Sequence, residues 1–104
     1  IHGTADPIVA LSNGREAALR WSERVGAKAS TPRTVQRGAR YAATITDYRS
    51  RSRGRLVATL CEVSRLGHAW SGGAAGYSYS DPKGPDASRM IWTFVAKQFG
   101  RAAD

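Results

Sequence analysis

Apolar and polar positions along the chain change period several times, and each change marks an element. "IHG", residues 1–3, runs an apolar residue straight into a glycine and a polar turn, which predicts the last residues of a β-strand. Within "SNGREAALRWSERVGAKA", residues 12–29, the pattern becomes helical. Asn13 is placed to cap this helix and Glu16 follows three residues later; Ala17, Ala18, Trp21 and Val25 share a face, and Gly26 is the stop. Residues 30–38, with Pro32 and no apolar period, read as a loop.

Two alternating runs rich in β-branched and aromatic residues follow, "RYAATITDYRS" and "RLVATLCEVSRL". The arginine-rich segment with Gly54 lies between them, so the pair predicts an antiparallel hairpin. The hairpin delivers the chain into "GHAWSGG", residues 67–73, where three glycines and small neighbours predict a tight loop around one histidine. Beyond it, "AAGYSYSDPKGPD" is broken by Gly76, Pro82, Gly84 and Pro85 and reads as an irregular loop. A second helix starts at Pro85 or Asp86, carries Ala87, Met90, Ile91, Phe94, Val95 and Phe99 on one stripe, and ends at Gly100. The order is strand end, helix, hairpin, loop, helix, which is the tail of a layered α/β fold with too few strands to cover both helices.

Length and composition narrow this picture without changing it. At 104 residues the chain forms one domain, residues 1–104, with no internal repeat or linker. Its apolar fraction of 41 % and charged fraction of 23 % are those of a globular protein. No apolar run is long enough to span a bilayer, and no membrane partner is expected. That the chain opens on Ile1 and not on methionine leads us to expect further residues upstream. Cys61 is the only cysteine and the histidines number two, so neither an internal disulfide nor a metal-ligand cluster is expected, and no cofactor is called for.

The formal net charge of +8 raises the alternative of a small basic module that binds nucleic acid or another polyanion. Against it, the arginines are spread from Arg15 to Arg101 and only "RSRSRGR", residues 49–55, is dense. That run reads more simply as a solvated turn, and no zinc-finger or RNA-binding signature accompanies it, so nucleic acid is not the expected partner.

The candidate chemistry lies in two short motifs. Asp6 stands in a turn just past a strand end, where open α/β sheets carry working residues, and His68 stands in the glycine loop. Each has an ordinary structural explanation, a turn-capping aspartate before Pro7 and a histidine bonded within its loop. Together they follow the acid-before-base chain order of an α/β-hydrolase triad. The nucleophile elbow G-x-S-x-G does not occur; "GYSYS", residues 76–80, comes nearest but lacks the second glycine and follows the histidine. Ser78 and Ser80 are therefore read as loop residues that line a site without acting as nucleophile. Trp70 either packs to lock the loop or forms an apolar wall for an acyl group, Trp21 and Trp92 belong to core or docking surface, and His2 orients the turn at the strand end.

"IHGTADPIV", "GHAWSGG" and "YSDPKGPDASRMIWTF" together resemble, over nearly the whole chain, the C-terminal part of the poly(3-hydroxybutyrate) depolymerase family of esterases. This resemblance implies a C-terminal fragment of an α/β-hydrolase fold. It also implies that the HGxxD turn supplies the triad acid, Asp6, and the GHxWxGG loop the triad base, His68. It further implies an ester or polyester substrate and an extracellular or periplasmic location. The serine and the oxyanion-hole amides are expected from a missing N-terminal part of the same protein, so this segment alone is expected to be inactive. An uncovered sheet edge and uncovered helix faces lead us to expect self-association.

Overall fold

The structure is a computed structural model and describes residues 1–103. A mixed sheet lies between two helices. In chain order the elements are β1 (His2–Gly3), α1 (Leu11–Arg24), β2 (Ala27–Ala29), β3 (Arg33–Val35), β4 (Ala43–Ser50), β5 (Leu56–Val63), β6 (Trp70–Ser71), β7 (Ser80–Asp81) and α2 (Ala87–Ala103). The main sheet has the order β1-β5-β4-β2, and β3 also pairs with β4. β1 runs parallel to β5, whereas β4 and β5 form the expected antiparallel hairpin, with a register shift between Tyr48 and Arg49.

Alternation along the hairpin divides the core in two. Ala43, Ile45, Cys61 and Val63 point to one face and join Leu66; Tyr48 and Leu60 point to the other and join Ala27. Val63 and Leu66 are almost wholly buried, which stabilises the fold by about 1.5–3 kcal/mol each. α1 closes the Tyr48 face through Ala18. α2 covers the Ile45 face less completely, touching it through Met90 and leaving a groove of about 620 Å3 between Ile45 and Cys61 on the sheet and Ile91 and Phe94 on the helix. Gln98 Nε2 donates to Leu56 O at 3.0 Å and ties α2 across that groove.

Several local expectations are corrected. α1 starts at Leu11, with Ala10 as its cap residue and no side-chain cap, so Asn13 lies inside the helix. Its inward face carries Gly14, Ala18 and Ser22, not Ala17, Trp21 and Val25, which are exposed. The reason is space: a Cβ on Gly14 would stand 2.9 Å from His2 Nδ1, so the helix turns its smallest residues toward the sheet. Gly26 does end the helix, at a φ of +67°.

Residues 30–38 contain β3, whose Arg33 pairs with Ile45 and donates from its guanidinium to Asp47 at 2.7 Å. The segment 74–86 contains β7, which pairs in parallel with β6. α2 begins at Ala87, with Asp86 Oδ1 accepting from the Arg89 amide at 3.0 Å, and runs through Gly100 to Ala103. On its stripe Ala87 is buried and Met90, Phe94 and Val95 are half-buried, but Ile91 and Phe99 are exposed. Trp92, 69 % exposed, is no core residue, and neither is Trp21. Among the described residues no helix is long and apolar enough to cross a membrane.

Candidate active site

The site forms where the C-terminal end of β5 meets β1. Thr4 N donates to Val63 O and Ala5 N to Leu66 O, both at 2.9 Å, which clamps the turn after β1 against the segment leaving β5. Gly3 makes this approach possible, since a Cβ there would collide with the carbonyl oxygens of Leu66 and Gly67. The clamp fixes the start of the Asp6 turn beside the start of the His68 loop.

Asp6 is held from three sides. Its Oδ1 accepts from the amides of Ile8 at 2.8 Å and Val9 at 2.9 Å, the local bonding that favours aspartate in such turns. Its Oδ2 lies 3.0 Å from His68 Nδ1, so side chains 62 residues apart in sequence meet as neighbours. The carboxylate is 7 % exposed. Burial alone would raise its pKa, but the Val9 amide, the His68 ring and the Ile8 amide outweigh that effect and bring it from 3.8 down to about 2. It is therefore ionised at neutral pH and can only accept. Nδ1 of His68 must then carry the proton, which leaves the Nε2 lone pair of the neutral ring free to accept one.

The His68 side chain is 43 % exposed, and among the described residues Nε2 has no hydrogen-bond partner. The Tyr79 ring meets the imidazole edge-on, with centroids 5.7 Å apart and planes at 84°. Tyr79 has a φ of 59°, in the left-handed region that a bulky side chain seldom occupies, at a cost of about 1–2 kcal/mol. The β6–β7 pairing sustains that conformation: Trp70 N donates to Tyr79 O at 2.7 Å and Gly72 N to Asp81 O at 2.8 Å. Gly72 has a φ of +73°, and a Cβ on it would stand 2.7 Å from Asp86 Cα, so the loop closes against the start of α2 only with glycine there.

Trp70 is 50 % exposed, and its Nε1 donates to Ser88 Oγ on α2 at 3.3 Å. Its ring thus lies open to solvent while its edge tethers the loop. Ser71 is buried and donates to Pro85 O at 2.6 Å; Ser78 is exposed and Ser80 is half-buried on β7. Among the described residues no serine hydroxyl bonds to His68. His2 Nε2 donates to Val9 O at 2.8 Å and stands 3.7 Å from Asp6 Oδ2, so it steadies the Asp6 turn from behind, and that bond occupies the nitrogen facing the carboxylate.

The groove beneath α2 is a separate feature, since neither Asp6, His68 nor Trp70 lines it. Among the described residues no group of three or more His, Cys, Asp and Glu is arranged to hold a metal ion. Sequence reasoning brought out Asp6, His68 and Trp70 but missed Tyr79, whose contact depends on a backbone conformation that "GYSYS" does not announce.

No family model matches the chain, and a search of curated proteins finds no match.

Proposed function

We propose that this chain is the acid–base part of a serine-type carboxylic-ester hydrolase similar to the poly(3-hydroxybutyrate) depolymerases. The observation that carries the reading is the 3.0 Å contact between Asp6 Oδ2 and His68 Nδ1, with Nε2 on the open side of the ring. Asp6 holds the imidazole in its Nδ1-protonated tautomer and stabilises the imidazolium that forms during turnover. His68 Nε2 takes the proton as a serine Oγ bonds to the ester carbonyl carbon, then gives it to the departing alkoxide oxygen. Water completes the cycle by the same route, losing a proton to Nε2 as its oxygen attacks the acyl-serine and regenerating the hydroxyl. The serine comes from outside these residues, because the elbow motif is absent here and Ser71 is committed to Pro85 O. Trp70 and Tyr79, with their exposed rings, are the aromatic surfaces available to an acyl group.

The test is hydrolysis of short p-nitrophenyl esters and 3-hydroxybutyrate oligomers by the protein expressed from its complete open reading frame. His68→Ala is expected to lower kcat by a factor of about 10^4 or more. Activity that survives this substitution undiminished contradicts the assignment.

The same reading makes the groove beneath α2 and the outer edge of β1 surfaces for the remainder of the enzyme. Without that cover, copies of this chain associate. Sedimentation at micromolar concentration is expected to give a mass above 11.2 kDa, and a monomer counts against the proposal.

A further inference from the structure

At the opposite end of β5, folding adds cations from elsewhere in the chain to the dense arginine run of residues 49–55. The end of β4 and the turn into β5 carry Arg49, Arg51, Arg53 and Arg55, all exposed. β2 pairs with β4 so that Lys28 stands directly opposite Arg49, and Arg51 N donates to Gly26 O at 3.2 Å, which brings the end of α1 and its last residue, Arg24, to the same tip. Six cations thus share one end of the sheet.

Their charge is not neutralised from within. None of the six forms a salt bridge among the described residues, and residues 23–28 and 49–55 contain one carboxylate, Glu23. Asp47, which feels Arg49, is already bonded to Arg33 at 2.7 Å and Thr59 at 3.0 Å. Like charges directly opposite one another across two strands destabilise a sheet, so the Lys28 and Arg49 pairing is a standing cost that an external anion would remove.

The composition of the tip selects among anions. Guanidinium forks match phosphate oxygens with paired hydrogen bonds, and five of the six cations are arginines. Residues 50–55 contain no apolar side chain and no aromatic ring, and across residues 23–28 Val25 is the one exposed large apolar side chain, too little to anchor in a lipid surface or to stack an unpaired base. We propose that this tip binds the phosphate backbone of duplex nucleic acid without sequence preference, roughly 25 Å along β5 from His68.

The test measures binding of a fluorescein-labelled 20-base-pair DNA duplex to the chain across a salt series. Arg51→Ser, Arg53→Ser and Arg55→Ser are combined in one variant, since no side chain of the three makes a hydrogen bond among the described residues. A charge-matched control combines Arg37→Ser, Arg89→Ser and Lys97→Ser. The tip variant is expected to lose tenfold or more in affinity at 50 mM salt, and its slope of log K against log salt is expected to flatten by roughly 2 to 3. The control is expected to stay within about threefold of the parent. Equal losses in both variants would mean that net charge alone attracts the duplex, and would overturn the proposal. Absence of saturable binding at 50 mM salt would overturn it too, as would tighter binding to a single strand of the same length or to anionic phospholipid vesicles.

Discussion

The two ends of β5 hold charge in opposite ways. At its C-terminal end a single buried carboxylate is bonded to two amides and one imidazole, and glycines let backbone press on backbone until those atoms are fixed. At its N-terminal end six cations stand exposed, without a salt bridge among the described residues and with one side-chain hydrogen bond, from Arg49 to Gly54 O at 3.1 Å. The first arrangement sets a tautomer and is specific to one geometry. The second sets a potential, to which any one arginine contributes about as much as another. Fixed geometry at one end is why we assign proton transfer there, and interchangeable charge at the other is why we assign electrostatic attraction there.

The contrast can be broken most forcefully at the acid. Asp6→Asn in the complete protein keeps the shape but offers His68 an amide that can hold the wrong tautomer, and kcat is expected to fall by a factor of about 10^4. A fall of less than tenfold in ester-hydrolysis assays would mean that the carboxylate does not govern the ring.

Packing gives the next largest effect. Gly3→Ala forces a Cβ onto the Leu66 and Gly67 carbonyls and is expected to cost about 3 kcal/mol in urea unfolding. A loss under about 0.5 kcal/mol would show that the clamp is looser than its hydrogen bonds imply.

The acid limb of stability sharpens the comparison further. Asp6 has a pKa of about 2 when folded and 3.8 when free, so the unfolded chain takes up the proton first as pH falls. The stabilisation is complete above about pH 4 and disappears between about pH 4 and pH 2. Asp6→Asn is expected to flatten the fall in the urea midpoint over that window, and an unchanged slope would contradict the bonding described. The tip sets the lower limit: Arg51→Ser with Arg53→Ser is expected to change stability by no more than about 0.5 kcal/mol per site.

What the sequence revealed tracks the range of the forces involved. The hairpin was legible because alternation and turn residues are local, and the Asp6 and His68 motifs were legible because a glycine-led aspartate turn and a glycine-rich histidine loop are themselves short local patterns. The rotation of α1 was not, since Ala17, Trp21 and Val25 form as good an apolar stripe as the inward face; the close approach of His2 to Gly14 and the packing of Ala18 on the Tyr48 face are tertiary contacts that the sequence does not display. Asn13 looked like a cap because its spacing to Glu16 is right, but residues upstream had already begun the helix at Leu11. β3 is short and two of its three residues are polar, so its pairing with β4 leaves no alternation to read. Tyr79 reached the site through a positive φ that β6 and β7 impose from a distance. The gathering of Arg24 and Lys28 beside residues 49–55 likewise exists only once β2 pairs with β4.

The acid–base account is tested most directly by the protonation state of one ring. Nitrogen-15 NMR of the neutral His68 imidazole, with observation of its ring N–H proton, is expected to find Nδ1 protonated, Nε2 unprotonated and a downfield Nδ1 proton that disappears in Asp6→Asn. An Nε2-protonated ring, or a spectrum indifferent to Asp6→Asn, would contradict the account.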